Sequence, residues 1–140
     1  MLVADVNLVP FSDDQFGFTS LKPDGWKDIQ VGTVARQNSL NDSAALIQLS
    51  VPQVSTDQLV GLLATQFGLK ETPASTGTRE ANGLTWTLYQ FALMSIPSDL
   101  AVAESEGTTY MIQMTSSEEE HDSLYEKVFL PVIDGFTPMA

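Results

Sequence analysis

Apolar and polar positions alternate with the two-residue period of β-strands along much of the chain. Phe16-Gly17-Phe18-Thr19-Ser20-Leu21 has the aromatic, short-run character of a strand. Pro23-Asp24-Gly25 then supplies turn chemistry: a fixed φ, a side-chain acceptor and a residue tolerant of positive φ. Trp26 follows where it can fold back over the strand end and become mostly buried. Ile29, Val31 and Thr33 alternate as a second strand, and Ala44 to Val51 reads as a third. The polar run "RQNSLNDS" between them suits a hairpin loop. Later, Thr76 to Glu80 predicts a short edge strand, and Asn82-Gly83 is a two-residue hairpin signal. From Leu84, one face carries Leu84, Trp86 and Leu88 and the other Thr85, Thr87, Tyr89 and Phe91, so a central position is expected. "SIPSD" breaks that strand. "LAVAESE" and "TTYMIQMTS" flank Gly107 as one more hairpin, with Tyr110, Ile112 and Met114 pointing one way.

Two segments switch to the helical period. Ser55 with Gln58 three residues on forms a capping box, Asp57 suits the positive end of the dipole, and Leu59, Leu62, Leu63 and Phe67 supply an apolar stripe that Gly68 ends. Ser117 and Glu120 repeat the capping box, with Glu118 and Glu119 in the first turn and Leu124, Tyr125, Val128 and Phe129 as the stripe. Pro131 is expected to end or kink this helix. The tail "VIDGFTP" is expected to tuck Ile133 and Phe136 against the sheet.

The order of these elements, marked by "FGFTSLKPDGW", "STDQLVGLLATQFG", "GLTWTLYQF", "TTYMIQMTSSEEE" and "FLPVIDGFTP", resembles the PsbP-like superfamily over nearly the whole chain. The resemblance implies an α+β fold, a central and mostly antiparallel sheet of about six strands with helices packed on it as an α/β/α sandwich. It implies one PsbP-like domain over residues 1–140. Members include the extrinsic photosystem II subunit, a Ran-binding nuclear-import factor and bacterial lipoproteins or exported domains of unknown role. They share no common active site, so the resemblance transfers no functional residue.

Composition narrows the function classes. The chain has 140 residues, 43% of them hydrophobic and 17% charged, which is the balance of a folded domain. Eighteen acidic against six basic residues give a net charge of −12. Long-range repulsion then disfavours nucleic acid and anionic membrane surfaces as partners and leaves a protein partner or a neighbouring domain. The absence of cysteine removes disulfides, thiolate catalysis and thiolate metal sites. "MLVADVNLV" has no basic n-region, and no run long enough to insert in a bilayer occurs. Abundant Ser, Thr, Asp and Gln with few Lys favour an exported or cell-envelope location.

Candidate chemistry is sparse. There is no nucleophile elbow, phosphate loop, dinucleotide fingerprint or zinc-helix motif. The single histidine, His121, would need a serine and an orienting carboxylate to form a triad, and it reads instead as a surface residue in a polar helical turn. Glu118 and His121 share a helix face with Asp122 close by, and capping accounts for these carboxylates without a metal. Asp13-Asp14 reads as a solvated pair in a turn. Trp26, Trp86, Tyr89 and Tyr110 read as core or rim instead of a ligand groove, and Met111 and Met114 as core filling. No catalytic, cofactor-binding or metal-binding residue is assigned and no cofactor is expected. The sequence supports a non-catalytic binding or accessory module of a bacterial envelope or exported protein. The alternative is a regulatory or fused fragment of a larger enzyme such as a hydrolase.

Overall fold

The structure, a computed structural model, describes residues 7–14, 17–30, 32–35, 45–66, 68, 75–93, 96–116 and 118–138. The expectations for Phe16, Val31, the 36–43 loop, Ala44, Phe67 and the Ser117 cap fall outside them, as do the side chains of Glu118, Glu119 and Glu120.

The elements run β1 (Leu8–Asp13), β2 (Phe18–Pro23), β3 (Lys27–Gln30), β4 (Thr33–Ala35), β5 (Ala45–Pro52), α1 (Thr56–Gln66) and β6 (Ser75–Ala81). They continue with β7 (Leu84–Leu93), β8 (Ile96–Ser105), β9 (Thr108–Thr115), α2 (Glu118–Leu124), a π-helical turn (Tyr125–Phe129), α3 (Leu130–Gly135) and β10 (Thr137–Pro138). A seven-stranded antiparallel sheet has the order β3-β4-β5-β9-β8-β7-β6, and a separate sheet has the order β1-β2-β10. The expected central antiparallel sheet with helices on it is present, with seven strands, and the small second sheet is an addition to it. Strand β1 gave no sequence signal because Pro10 interrupts it. An edge position tolerates that proline, since only one side of β1 is hydrogen-bonded.

The large sheet separates two cores. One holds Leu84, Trp86 and Leu88 with Tyr110, Ile112 and Met114, covered by α2, α3 and the small sheet. The other holds Tyr89, Leu100, Val102 and Met111 under Leu59 and Val60 of α1, with Phe91 packed against it. The two-faced pattern read in β7 is therefore the physical arrangement, and Met111 and Met114 fill opposite cores. The β6–β7 and β8–β9 hairpins turn through two residues at positive φ, Asn82-Gly83 at 52° and 81° and Glu106-Gly107 at 51° and 81°. These values match the mirror-image turns that suit strand twist.

Helix α1 begins at a reciprocal capping box: Ser55 Oγ accepts from Gln58 N at 3.2 Å, and Gln58 Oε1 accepts from Ser55 N at 3.0 Å. Glu104 of β8 accepts a third amide, Thr56 N, at 3.1 Å. Ser55→Ala should therefore cost about 1 kcal/mol in urea unfolding; an unchanged midpoint would mean Glu104 alone satisfies this end. The stripe differs from its expectation. Leu59, Val60 and Ala64 are buried while Leu62 is 61% exposed. At 100° per residue, Leu62 lies on the far side of a face centred between Leu59 and Ala64.

The C-terminal helix does not end at Pro131. The π turn just before it lets Leu130 N donate to Tyr125 O, five residues back. This widened turn accommodates a residue that lacks an N–H and whose ring crowds the preceding carbonyls. The helix then continues to Gly135, placing Ile133 and Phe136 in the core as expected. Asn82 in the β6–β7 turn donates to Asp134 O at 2.7 Å and Phe136 O at 3.0 Å, so a hairpin tip holds the helix end. Arg79 adds a bidentate pair to Asp134 at 2.8 and 2.7 Å, which raises the guanidinium pKa through that hydrogen bond.

Candidate functional site

Two places collect polar groups. The first lies where α2 crosses the helix-covered face of the sheet. "SIPSD" is not only a break: Ile96 to Asp99 open β8. Asp99 has the strand parity of Ala101 and Ala103, so its carboxylate points into the interior and is fully buried. Gln90 Nε2, from the neighbouring strand, donates to Asp99 Oδ1 at 3.0 Å. His121 Nε2 lies 2.7 Å from Asp99 Oδ2, and His121 Nδ1 lies 3.3 Å from Asp122 Oδ1.

The histidine expected at the surface is thus one-fifth exposed and tied to the sheet. Burial pushes the Asp99 carboxyl above its ordinary value, the charge of His121 and the hydrogen bonds from Gln90 and His121 pull it down, and the charge of Asp122 pushes it up again. Tyr125 stands beside the pair, its ring 5.9 Å from that of His121, and burial with the charge of Asp99 raises its phenol pKa. Sequence reasoning missed Asp99 because a Pro-containing run hid its strand. The available signal was an acid at an inward position two residues before Ala101. Among the described residues, no group of three or more His, Asp or Glu side chains is placed to hold a metal ion.

The second place is a cleft of about 560 Å³ between the small sheet and the β3–β5 side of the large one. Its walls follow from register. Asp28, Val34 and Leu46 are directly opposite one another across β3, β4 and β5, so they form a row on one face. Facing them, β1 and β2 contribute Phe11, Asp13 and Lys22. Lys22 Nζ sits over the Phe11 ring, 5.5 Å from its centroid. At the back lies buried Gln48, which accepts a hydrogen bond from Ser20 Oγ and donates from Nε2 to Leu21 O at 2.9 Å. That amide latches the two sheets together. Asp13, expected as a solvated turn residue with Asp14, ends β1 and lines the cleft, while Asp14 is exposed in the turn. Trp86, Tyr89 and Tyr110 are buried and Trp26 is half-buried against the core, less covered than expected; none of the four lines this cleft.

No protein-family model matches the chain, and no curated protein matches it in sequence. In structure it is similar to the cyanobacterial PsbP, CyanoP, of Synechocystis. The likeness covers 97% of this chain and 95% of that one, with a TM-score of 0.64 and 14% identity. The fold is PsbP-like. A crystal structure from Bacteroides thetaiotaomicron is also similar, over 94% of this chain and 48% of that one, with a TM-score of 0.60 and 9% identity. At these identities the PsbP-like likeness concerns architecture, and function must be argued from side chains. No helix among the described residues is long and apolar enough to cross a membrane.

Proposed function

We propose that residues 1–140 form one PsbP-like domain that acts as a non-catalytic binding or accessory module of a bacterial envelope or exported protein, meeting a protein partner or a neighbouring domain. The observation that carries this reading is the state of the only histidine. In a hydrolytic triad one ring nitrogen is held by a carboxylate and the other is left for the nucleophile. Here a carboxylate faces each nitrogen, the buried Asp99 at 2.7 Å and the solvent-exposed Asp122 at 3.3 Å, an arrangement that favours a structural tie over a base poised beside a nucleophile. His121 then serves to fasten α2 to the sheet. The exported location rests on composition alone, with few lysines and many Ser, Thr, Asp and Gln.

A second reading, a regulatory or fused part of a larger enzyme such as a hydrolase, is favoured by the Bacteroides likeness, in which the matching region is 48% of a longer chain. Chromogenic esters, phosphate monoesters and glycosides separate catalysis from binding. The purified chain should turn over none of them above the rate of its His121→Ala variant, and turnover that disappears with His121 would refute the non-catalytic reading.

A further inference from the structure

We propose that Asn82 is a site of spontaneous chemical modification, and that its deamidation irreversibly undoes the tie between the β6–β7 turn and the end of α3. Of the chain's four asparagines only Asn82 is followed by glycine. That setting makes an asparagine most reactive, because glycine has no side chain to obstruct the approach of its own amide nitrogen to the neighbouring Cγ. Asn82 and Gly83 are both exposed, a Cβ added at Gly83 would meet nothing within 4 Å, and a crevice of about 360 Å³ runs along residues 80–85. Water therefore reaches the turn.

The reaction needs water alone as co-reactant. Gly83 N attacks Asn82 Cγ and gives up its proton, the Cγ–Nδ2 bond breaks, and Nδ2 departs as ammonia to leave a cyclic imide. Water then opens the ring on either side of its nitrogen, giving an aspartyl residue or its isoaspartyl isomer, in which the backbone runs through the side-chain carbon. Nothing is oxidised or reduced.

The fold controls the first step. Asn82 Nδ2 donates to Asp134 O at 2.7 Å and to Phe136 O at 3.0 Å, so ammonia can leave only when both bonds are released by local opening of the turn or of the C-terminal segment. Afterwards the tie cannot re-form. A carboxylate only accepts hydrogen bonds, so an oxygen would face two carbonyl oxygens, and the new negative charge would lie beside Asp134. The loss falls at a joint, because Phe136 packs between Phe18 of the small sheet and Trp86 of the large one, and the following β10 pairs with β2. Deamidation thus records past opening as a lasting loosening of the two sheets.

Peptide mass mapping of the whole chain during prolonged warm incubation at neutral pH tests this. In urea, the mass gain of an NH₂-to-OH exchange should appear at position 82 before any other, with isoaspartate detected there by methyltransferase labelling. In the folded protein the same change should be about tenfold slower. Arg79→Gln removes the ion pair that holds Asp134 without entering the core, and should speed the folded-state reaction about threefold. Asn82→Asp should lower the melting temperature by about 5 °C. Equal rates in folded and urea-unfolded protein, an earlier gain at another asparagine in urea, an Arg79→Gln rate equal to the parent's, or an unchanged melting temperature in Asn82→Asp would each overturn the proposal.

Discussion

Replacing Phe136 with alanine is expected to destabilise the protein by about 3–5 kcal/mol. Phe136 follows α3 and is completely buried where the two sheets and the helix layer meet. Its ring stacks on Phe18 of the small sheet at 4.4 Å and meets Trp86 and Tyr110 of the large sheet edge-on at 5.1 and 5.5 Å. Truncation removes the transfer energy of one ring and leaves a cavity walled by three others, which are fixed on separate elements and cannot collapse together. Urea unfolding followed by tryptophan emission measures this, since Trp86 reports directly on the cavity. A loss below about 1 kcal/mol would mean that the tail lies on the fold without closing it.

His121→Ala should cost about 3 kcal/mol at neutral pH, because it strands the buried Asp99 carboxylate with Gln90 as its remaining side-chain partner among the described residues. The effect depends on pH with a definite sign. Folding already holds the Asp99 carboxyl above its ordinary value through burial, so the folded state takes up a proton more readily than the unfolded chain. Stability from this group is fully present below the unfolded value and is lost as pH rises through the raised folded value. Removing His121 removes a charge and a hydrogen bond that oppose the rise, so the carboxyl moves further up and the cost of ionising it at neutral pH grows. The deficit of the variant relative to the parent should therefore shrink between about pH 7 and about pH 4. Equal deficits at both would show that His121 stabilises by packing alone.

What the residues disclosed in advance was mostly local. The Ser55–Gln58 box, the Asn82-Gly83 turn and the alternation of β7 are encoded within a few positions, and each is realised atom for atom. Features set by distant contacts were not legible. The phase of α1 is decided by which face meets β8, so Val60 and Ala64 are buried while the larger Leu62 faces solvent. Pro131 reads as a helix stop or kink, and only the π turn before it shows that the helix is carried through. Neither candidate site is contiguous in sequence. Asp99 and His121 are 22 positions apart, and the cleft draws on β1 to β5. Strand β1, hidden by Pro10, supplies Phe11 and Asp13 to that cleft, so missing the strand meant missing the site.

One experiment bears most directly on whether this chain binds instead of reacting. Amide spectra of the labelled protein, recorded while a chromogenic ester, a phosphate monoester and a glycoside are added in turn and while each compound's own proton signals are followed in the same tube, report the locus and the chemistry together. The non-catalytic reading predicts intact compounds throughout and no saturable shifts around Asp99 and His121. A compound consumed in the tube, with shifts centred on His121 and lost in His121→Ala, would contradict it.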